Sequence, residues 1–253
     1  MMCCFRRWIQ NKINEKVYGK LGCPMINKTE YVELTSFEEA HDWGMKYYEK
    51  WGKQYQKTME DLDFFDKTVA KCFIDPLELY CGYMYEQINR FLRYGVDNES
   101  HTYRELSDIL TIALYSAPRI PHNLVLYRMV CDDFANQFEK KYREETECHV
   151  LEKGFMSTSL LKEIVHEDSY YAHWNNMLKI YVPEDTVGLY VNAVVERSEE
   201  EVLLPPNMTL RLIEYPYYDE SIQKKFLNVN SSKLSFRMQK IRCNKNILDK
   251  KEP

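Results

Sequence analysis

The hydrophobic period of the chain changes once, near Asn123, and that change limits the folds open to it. Ahead of it, apolar residues recur at helical spacing. Ser36 with Glu39 reads as a capping box, and Phe37, Ala40, Trp43, Tyr47, Trp51 and Tyr55 then mark one helical face. Asp75 followed by Pro76 is an N-cap with proline at the first helical position, and Gly95 stands at the C′ position, which predicts a helix over 76–94. A further helix over 102–117 ends ahead of Pro118 and Pro121. After Asn123 the segments 124–130, 154–160, 177–182, 188–195, 201–204, 209–215 and 233–241 read as short strands, with one helix near 132–142. Helices first and strands afterwards predict an α+β fold. Residues 1–35, broken by Gly19, Gly22 and Pro24, read as an N-terminal extension. That leaves one domain over 36–253, with a helical lobe at 36–121 and a β core at 122–250.

With 253 residues, 45% of them hydrophobic, the chain can bury a full core. Its net charge of -5 is spread without a basic stripe, so no nucleic-acid partner is expected. The eight cysteines include no CxxC pair and the six histidines no HExxH, so reduced thiols and no metal are expected. No apolar run reaches the roughly 20 residues that span a bilayer. The opening MMCCFRRW lacks the apolar core of a secretory signal, which predicts a soluble chain that is cytosolic on synthesis. Cys3 and Cys4 beside Arg6 and Arg7 fit either a lipidation site or an unmodified terminus.

The polar residues that stand out lie within or beside the strands. In ERSEEEVLLPPN (196–207), Val202, Leu203 and Leu204 read as a buried strand with carboxylates just ahead of it. Residues at i and i+2 on extended backbone share a face, so Glu199 and Glu201 stand side by side and Glu200 turns the other way. Taken alone, the run also fits an acidic loop before an edge strand. Arg128 lies within LYRMV, and Ser157, Thr158 and Ser159 lie within GFMSTSL. Singly, these read as a snorkelling arginine and as hydroxyls that satisfy backbone groups. On the helix over 76–94, Tyr85, Asn89 and Arg93 line up at steps of four. Tyr80, five residues before Tyr85, projects about 140° away from it on a continuous helix.

As an ordered set, Tyr127-Arg128, Ser157-Thr158-Ser159 and Glu199-Glu200-Glu201 followed by Val-Leu-Leu-Pro resemble the signature of the bacterial toxin-type mono-ADP-ribosyltransferases. The chain is most similar to the clade that holds the catalytic chains of actin-modifying binary toxins. That likeness rests on Trp43-Gly44, Tyr80, Tyr85, Ile88-Asn89, Leu92-Arg93 and RIPHNLVLYR, and covers about 36–242. It departs from that clade at Met129, where a second arginine often follows the first, and at Gly154, where an asparagine often starts the Ser-Thr-Ser strand. His173 and Trp174 likewise stand in a region where the clade carries an arginine.

The resemblance implies an ADP-ribosyltransferase fold, a helical lobe packed on a two-sheet β core with NAD in the cleft between. Breaking the nicotinamide–ribose bond generates an oxocarbenium-like centre, which a fixed carboxylate stabilises. By resemblance, Glu201 takes that role, Ser157 orients it, and Arg128 grips a phosphate of NAD through its fork of donors. Tyr80, Tyr85, Asn89, Gly154, Thr158 and Ser159 are implied to hold NAD. Val195, Glu196 and Arg197, in the loop before Glu-x-Glu, are implied to meet the protein substrate together with Glu199. A glutamate at 199 goes with arginine as the acceptor, because a carboxylate can pair a guanidinium and aim its nitrogen at the sugar. Glu196 and Glu200 are expected to be solvated. The implied partners are NAD and a host protein target with an acceptor arginine, actin first, met by a monomer exported as an effector into the host cytosol. An NAD glycohydrolase and a non-catalytic binding module of the same fold are the alternatives.

Overall fold

The computed structural model describes residues 8–9, 12–16, 26–65, 75–144, 149–163, 173–197 and 199–233. Helix α1 (Phe37–Phe65) starts at the expected cap: the Glu39 N–H donates to Ser36 Oγ at 3.2 Å, and Glu39 reaches back to the N–H and hydroxyl of Thr35. Its stripe buries Ala40, Trp43, Tyr48 and Tyr55, while Phe37, expected on that face, is exposed and stacks on His41. The predicted helix over 76–94 is present in three pieces. These are α2 (Pro76–Leu79), a π turn over Tyr80–Met84, and α3 (Tyr85–Tyr94). Asp75 caps the start by accepting from the Leu77 and Glu78 N–H groups, and Gly95 at φ 72 closes the end. Helix α4 (Thr102–Ser116) follows as expected.

Strand β1 (Leu124–Val130) leads into α5 (Asp132–Glu144) and then β2 (His149–Glu152), β3 (Met156–Ser159), β4 (Asn176–Val182), β5 (Leu189–Tyr190), β6 (Glu201–Leu204), β7 (Met208–Leu212), β8 (Tyr217–Asp219) and β9 (Lys224–Lys233). The order among the described residues is β2-β7-β9-β4-β1-β3-β6-β5, with β8 on the edge of β9. The two expected sheets are halves of this one path. β1 and β3 are joined by the single pair Tyr127↔Ser159, whereas β1 pairs with β4 along its whole length. The predicted strand 188–195 survives only at Leu189–Tyr190, because the chain turns into a 3₁₀ helix at Val191–Ala193. β2, β8 and most of β9 were not expected, and 234–241 of the last predicted strand lie outside the described residues. The segment before α1, read as part of an extension, lies against the sheet: Val32 bridges Leu124.

Strand parity decides which side chains meet the helices. Leu124, Leu126 and Val130 join the main core under α1, α2 and α4, while Val125, Tyr127 and Met129 join a smaller cluster on the opposite face. Arg128 has the parity of the first set, so it points toward the helical lobe. Two glycines let α1 lie directly against β5 and the turn that follows it. An added Cβ at Gly44 would sit 2.2 Å from the Tyr190 ring, and one at Gly52 would sit 2.2 Å from the Ala193 carbonyl oxygen. Gly52→Ala is therefore expected to lower stability by about 1–3 kcal/mol through overpacking, against the ~1 kcal/mol that alanine ordinarily gains over glycine in a helix. Urea denaturation measures the sign, and a stabilised variant would show that α1 can back away from Ala193.

Candidate active site

The separation of β1 from β3 opens the sheet beside the helical lobe. A cleft of about 640 Å³ lies there, lined by β1, β3, the start of β6 and the π turn with α3. Two short registers bring the separate motifs together. β3 pairs with β6 through Ser157↔Leu203, Thr158↔Val202 and Ser159↔Glu201, and β1 meets β3 at Tyr127↔Ser159. Arg128 sits where the β1–β3 ladder stops, and its Nη1 donates to the Ser157 carbonyl oxygen at 2.6 Å. That bond satisfies a backbone acceptor and fixes the guanidinium at the cleft wall.

Glu199 and Glu201 both line the cleft, and Glu200 faces away, as the i, i+2 reading expects. The Glu201 N–H folds back onto the Glu199 carbonyl at 2.9 Å. Glu201 is 2% exposed. Burial pushes its carboxyl above the ordinary range; the Ser157 hydroxyl bond and then the Arg197 charge oppose that, Glu199 adds to it, and Arg128 opposes it weakly. Arg197 Nε lies 3.5 Å from Glu201 Oε2, an oxygen with no hydrogen-bond partner among the described residues. Arg197 is itself tethered to the helical lobe, its Nη1 donating to the Cys81 carbonyl at 2.6 Å.

The helical wall is assembled by the π turn. Bonding from i to i+5 swings Tyr80 back toward the side that Tyr85 faces, so both line the cleft where a continuous α-helix would have parted them. Asn89 is buried and bridges the lobes: its Nδ2 donates to the Tyr80 hydroxyl at 3.0 Å, and its Oδ1 accepts from the Phe155 N–H at 2.8 Å. Below it, Arg93 forms a two-pronged pair with buried Glu152, at 2.9 and 3.1 Å.

The remaining predicted residues divide by position. Thr158 and Ser159 line the cleft, but their hydroxyls are engaged locally, Thr158 donating to the Val202 carbonyl at 2.5 Å and Ser159 accepting from the Leu161 N–H at 3.0 Å. Gly154 is not on the cleft wall; it is buried behind Asn89, whose Oδ1 would lie 2.7 Å from an added Cβ. Val195 packs against the core and Glu196 is exposed, so of the loop residues only Arg197 reaches the cleft beside Glu199 and Glu201. The expectation that Glu200 is solvated fails: it is 1% exposed and accepts from the Tyr190 hydroxyl. Sequence reading passed over Cys81, Arg90 and Glu152. Arg90 lies one position off the Tyr85–Asn89–Arg93 row and carries no periodic signal, and Glu152 belongs to the unpredicted β2. Among the described residues no helix is long and apolar enough to cross a membrane, and no group of three or more His, Cys, Asp or Glu residues is placed to hold a metal.

Three comparisons bear on this arrangement. No curated protein matches the chain. Among solved structures, it is similar to the ADP-ribosylating toxin BECa of a C. perfringens binary enterotoxin, solved with NADH, at 20% identity and TM-score 0.62, over 80% of this chain and 50% of that one. It is also similar to the ADP-ribosyltransferase toxin Plx2a of Paenibacillus larvae, at 18% identity and TM-score 0.58, over 80% of this chain and 100% of that one. The same holds for C3stau2 of S. aureus, solved with NAD, at 15% identity and TM-score 0.55, over 81% and 100% of the two chains. The chain thus spans about half the length of BECa, and at these identities the likeness speaks for the fold. Residues 40–235, the greater part of the sequence and the whole of the cleft, match the family model described as ADP-ribosyltransferase exoenzyme, and the chain belongs to that family.

Proposed function

We propose that the protein moves ADP-ribose from NAD to an arginine side chain of a protein, releasing nicotinamide. The observation that carries this is the pairing of two carboxylates, Glu199 and Glu201, on one wall of a cleft whose other residues include Arg128 and Ser157. The bond between nicotinamide and ribose C1′ breaks with its electron pair leaving on nicotinamide. Glu201, held by Ser157, stabilises the positive charge that develops on the sugar. An acceptor guanidinium nitrogen then forms the new bond to C1′. Glu199 orients that nitrogen first and takes its proton late, since between ordinary arginine and glutamate side chains a gap of about 8–9 pKa units makes early deprotonation cost roughly 11–12 kcal/mol.

Arg128 spends one of its five N–H donors on Ser157 and in this reading offers others to an NAD phosphate. Arg128→Lys loses the fork while keeping the charge. It is expected to raise KM for NAD about 10- to 100-fold, the equivalent of one or two charge-assisted hydrogen bonds. Unchanged NAD affinity by titration calorimetry would remove Arg128 from phosphate binding.

The likeness to actin-modifying toxin chains makes actin the first target to test. Incubation with labelled NAD and a eukaryotic lysate, followed by mass spectrometry of the labelled peptide, gives acceptor residue and target together. Labelled arginine supports the proposal. Nicotinamide release without a labelled protein would mean that water is the acceptor.

A further inference from the structure

Glu200, between the two cleft carboxylates, points into the protein, where β5 and α1 surround its side chain. Its side chain is fully buried. One oxygen, Oε2, accepts from the Tyr190 hydroxyl on β5. The other, Oε1, has no hydrogen-bond partner among the described residues and lies 3.8 Å from His41 Nδ1 on α1, and that nitrogen is 3.3 Å from the same Tyr190 hydroxyl. Tyr190 is itself immobilised. Its ring is buried between Trp43 and Tyr48, with centroids at 6.5 and 6.4 Å, and α1 approaches it so closely that residue 44 must be glycine. Burial, then the bond to Glu200, pushes the Tyr190 phenol far above its ordinary range, so it remains a donor.

A buried carboxylate with an unpaired oxygen is costly, and an apolar side chain at this position would spare the fold that cost. What the arrangement supplies is a fixed roll of the backbone. The Glu200 carbonyl accepts from the Leu160 N–H at 2.9 Å just past β3, and the Glu201 N–H folds onto Glu199. With the backbone held on one side and the side chain on the other, residues 199 and 201 face only the cleft. The loop ahead of them is pinned to α1 as well, Gln56 donating to the Val194 carbonyl at 2.7 Å. We propose that Glu200 is a positioning residue, which through Tyr190 and α1 sets the orientation of both Glu199 and Glu201. This rests on the ADP-ribosyl transfer read above.

Tyr190→Phe and Glu200→Leu both break the link, and Glu200→Gln keeps an acceptor for the tyrosine. In folded protein, the first two are expected to lower kcat about 10- to 100-fold, the size of loss that displacing a catalytic group by about 1 Å produces. KM for NAD should change by less than about threefold, and Glu200→Gln should recover most of what Glu200→Leu loses. Glu201 itself is followed by ¹³C NMR titration of its carboxyl carbon in the intact chain. In Tyr190→Phe its raised pKa should move toward that of an ordinary glutamate as the segment turns and burial is relieved. Unchanged kcat in folded Tyr190→Phe and Glu200→Leu, or a Glu201 titration that does not move, would overturn the proposal. If the parent protein shows no turnover of NAD, the functional reading fails, and the titration still decides whether Glu200 positions Glu201.

Discussion

Glu201→Gln is expected to lower turnover by about 10²- to 10⁴-fold while making the protein more stable at neutral pH. The loss follows from removing the negative charge that the Ser157 hydroxyl holds in the cleft, and a preorganised charge of this kind is worth several kcal/mol to a cationic transition state. Glutamine keeps the size of the side chain and an acceptor for the Ser157 hydroxyl, so the fall is a loss of charge and not of packing. The stability gain follows from burial. The Glu201 carboxyl is raised above its unfolded value, so between the two values the folded state holds a proton that the unfolded state has released, and above the folded value Glu201 is ionised and destabilising. A carboxyl shifted in this direction contributes fully to stability below its unfolded pKa, and that contribution is lost as pH rises through the folded pKa. The Tm advantage of Glu201→Gln over the parent should therefore be absent in acid and grow as pH rises through that window. The same shift moves the acid limb of the parent's pH–rate profile upward from the ordinary glutamate range. Steady-state kinetics and thermal denaturation between pH 4 and 8 measure both effects, and near-full activity in the variant would remove Glu201 from the chemistry.

The placement of Arg128, Glu199 and Glu201 at the cleft was legible because each sits in a short local pattern. Alternation placed β1 at 124–130, the Val-Leu-Leu triplet placed β6, and the i, i+2 rule put Glu199 and Glu201 on one side. What local pattern does not contain is the neighbour across the fold. Nothing in ERSEEEVLL distinguishes a solvated Glu200 from one buried against Tyr190, since that depends on α1 arriving from 150 residues earlier with glycine at position 44. β9 escaped for a related reason. It is a sheet interior strand whose buried positions include Asn228 and Ser231, so polarity masks its alternation. The π turn has no periodic signature either. A sequence scanned at 3.6 residues per turn points Tyr80 away from Tyr85, whereas one inserted turn with more residues in it returns Tyr80 to the cleft.

Glu199→Gln is expected to abolish most transfer to arginine, by about 10²-fold or more, while nicotinamide release from NAD continues. The two carboxylates are separated by one residue but have different tasks in the proposed reaction. Glu201 is buried beside Ser157, whereas Glu199 is half-buried at the cleft wall, where an incoming side chain can reach it. An acceptor guanidinium entering the cleft meets a competing cation already present, since Arg197 lies 3.5 Å from Glu201 and is tied to the Cys81 carbonyl. Glu199 puts a second carboxylate beside Glu201 on that wall, so an arriving guanidinium has a partner of its own. With glutamine at 199 the acceptor loses its carboxylate partner, while Arg128 and Arg197 stay on the cleft wall and Glu201 is committed to the sugar in this reading. Leaving one member of such a charge pair without its partner costs about 2–5 kcal/mol, and the variant removes the carboxylate that this reading gives the acceptor's last proton. Water carries no charge into the cleft and depends less on Glu199, so hydrolysis should fall far less than transfer. Parallel assays of labelled protein and of free nicotinamide separate the two rates. A variant that still labels arginine at the parent's rate would show that the acceptor is oriented by a group other than Glu199.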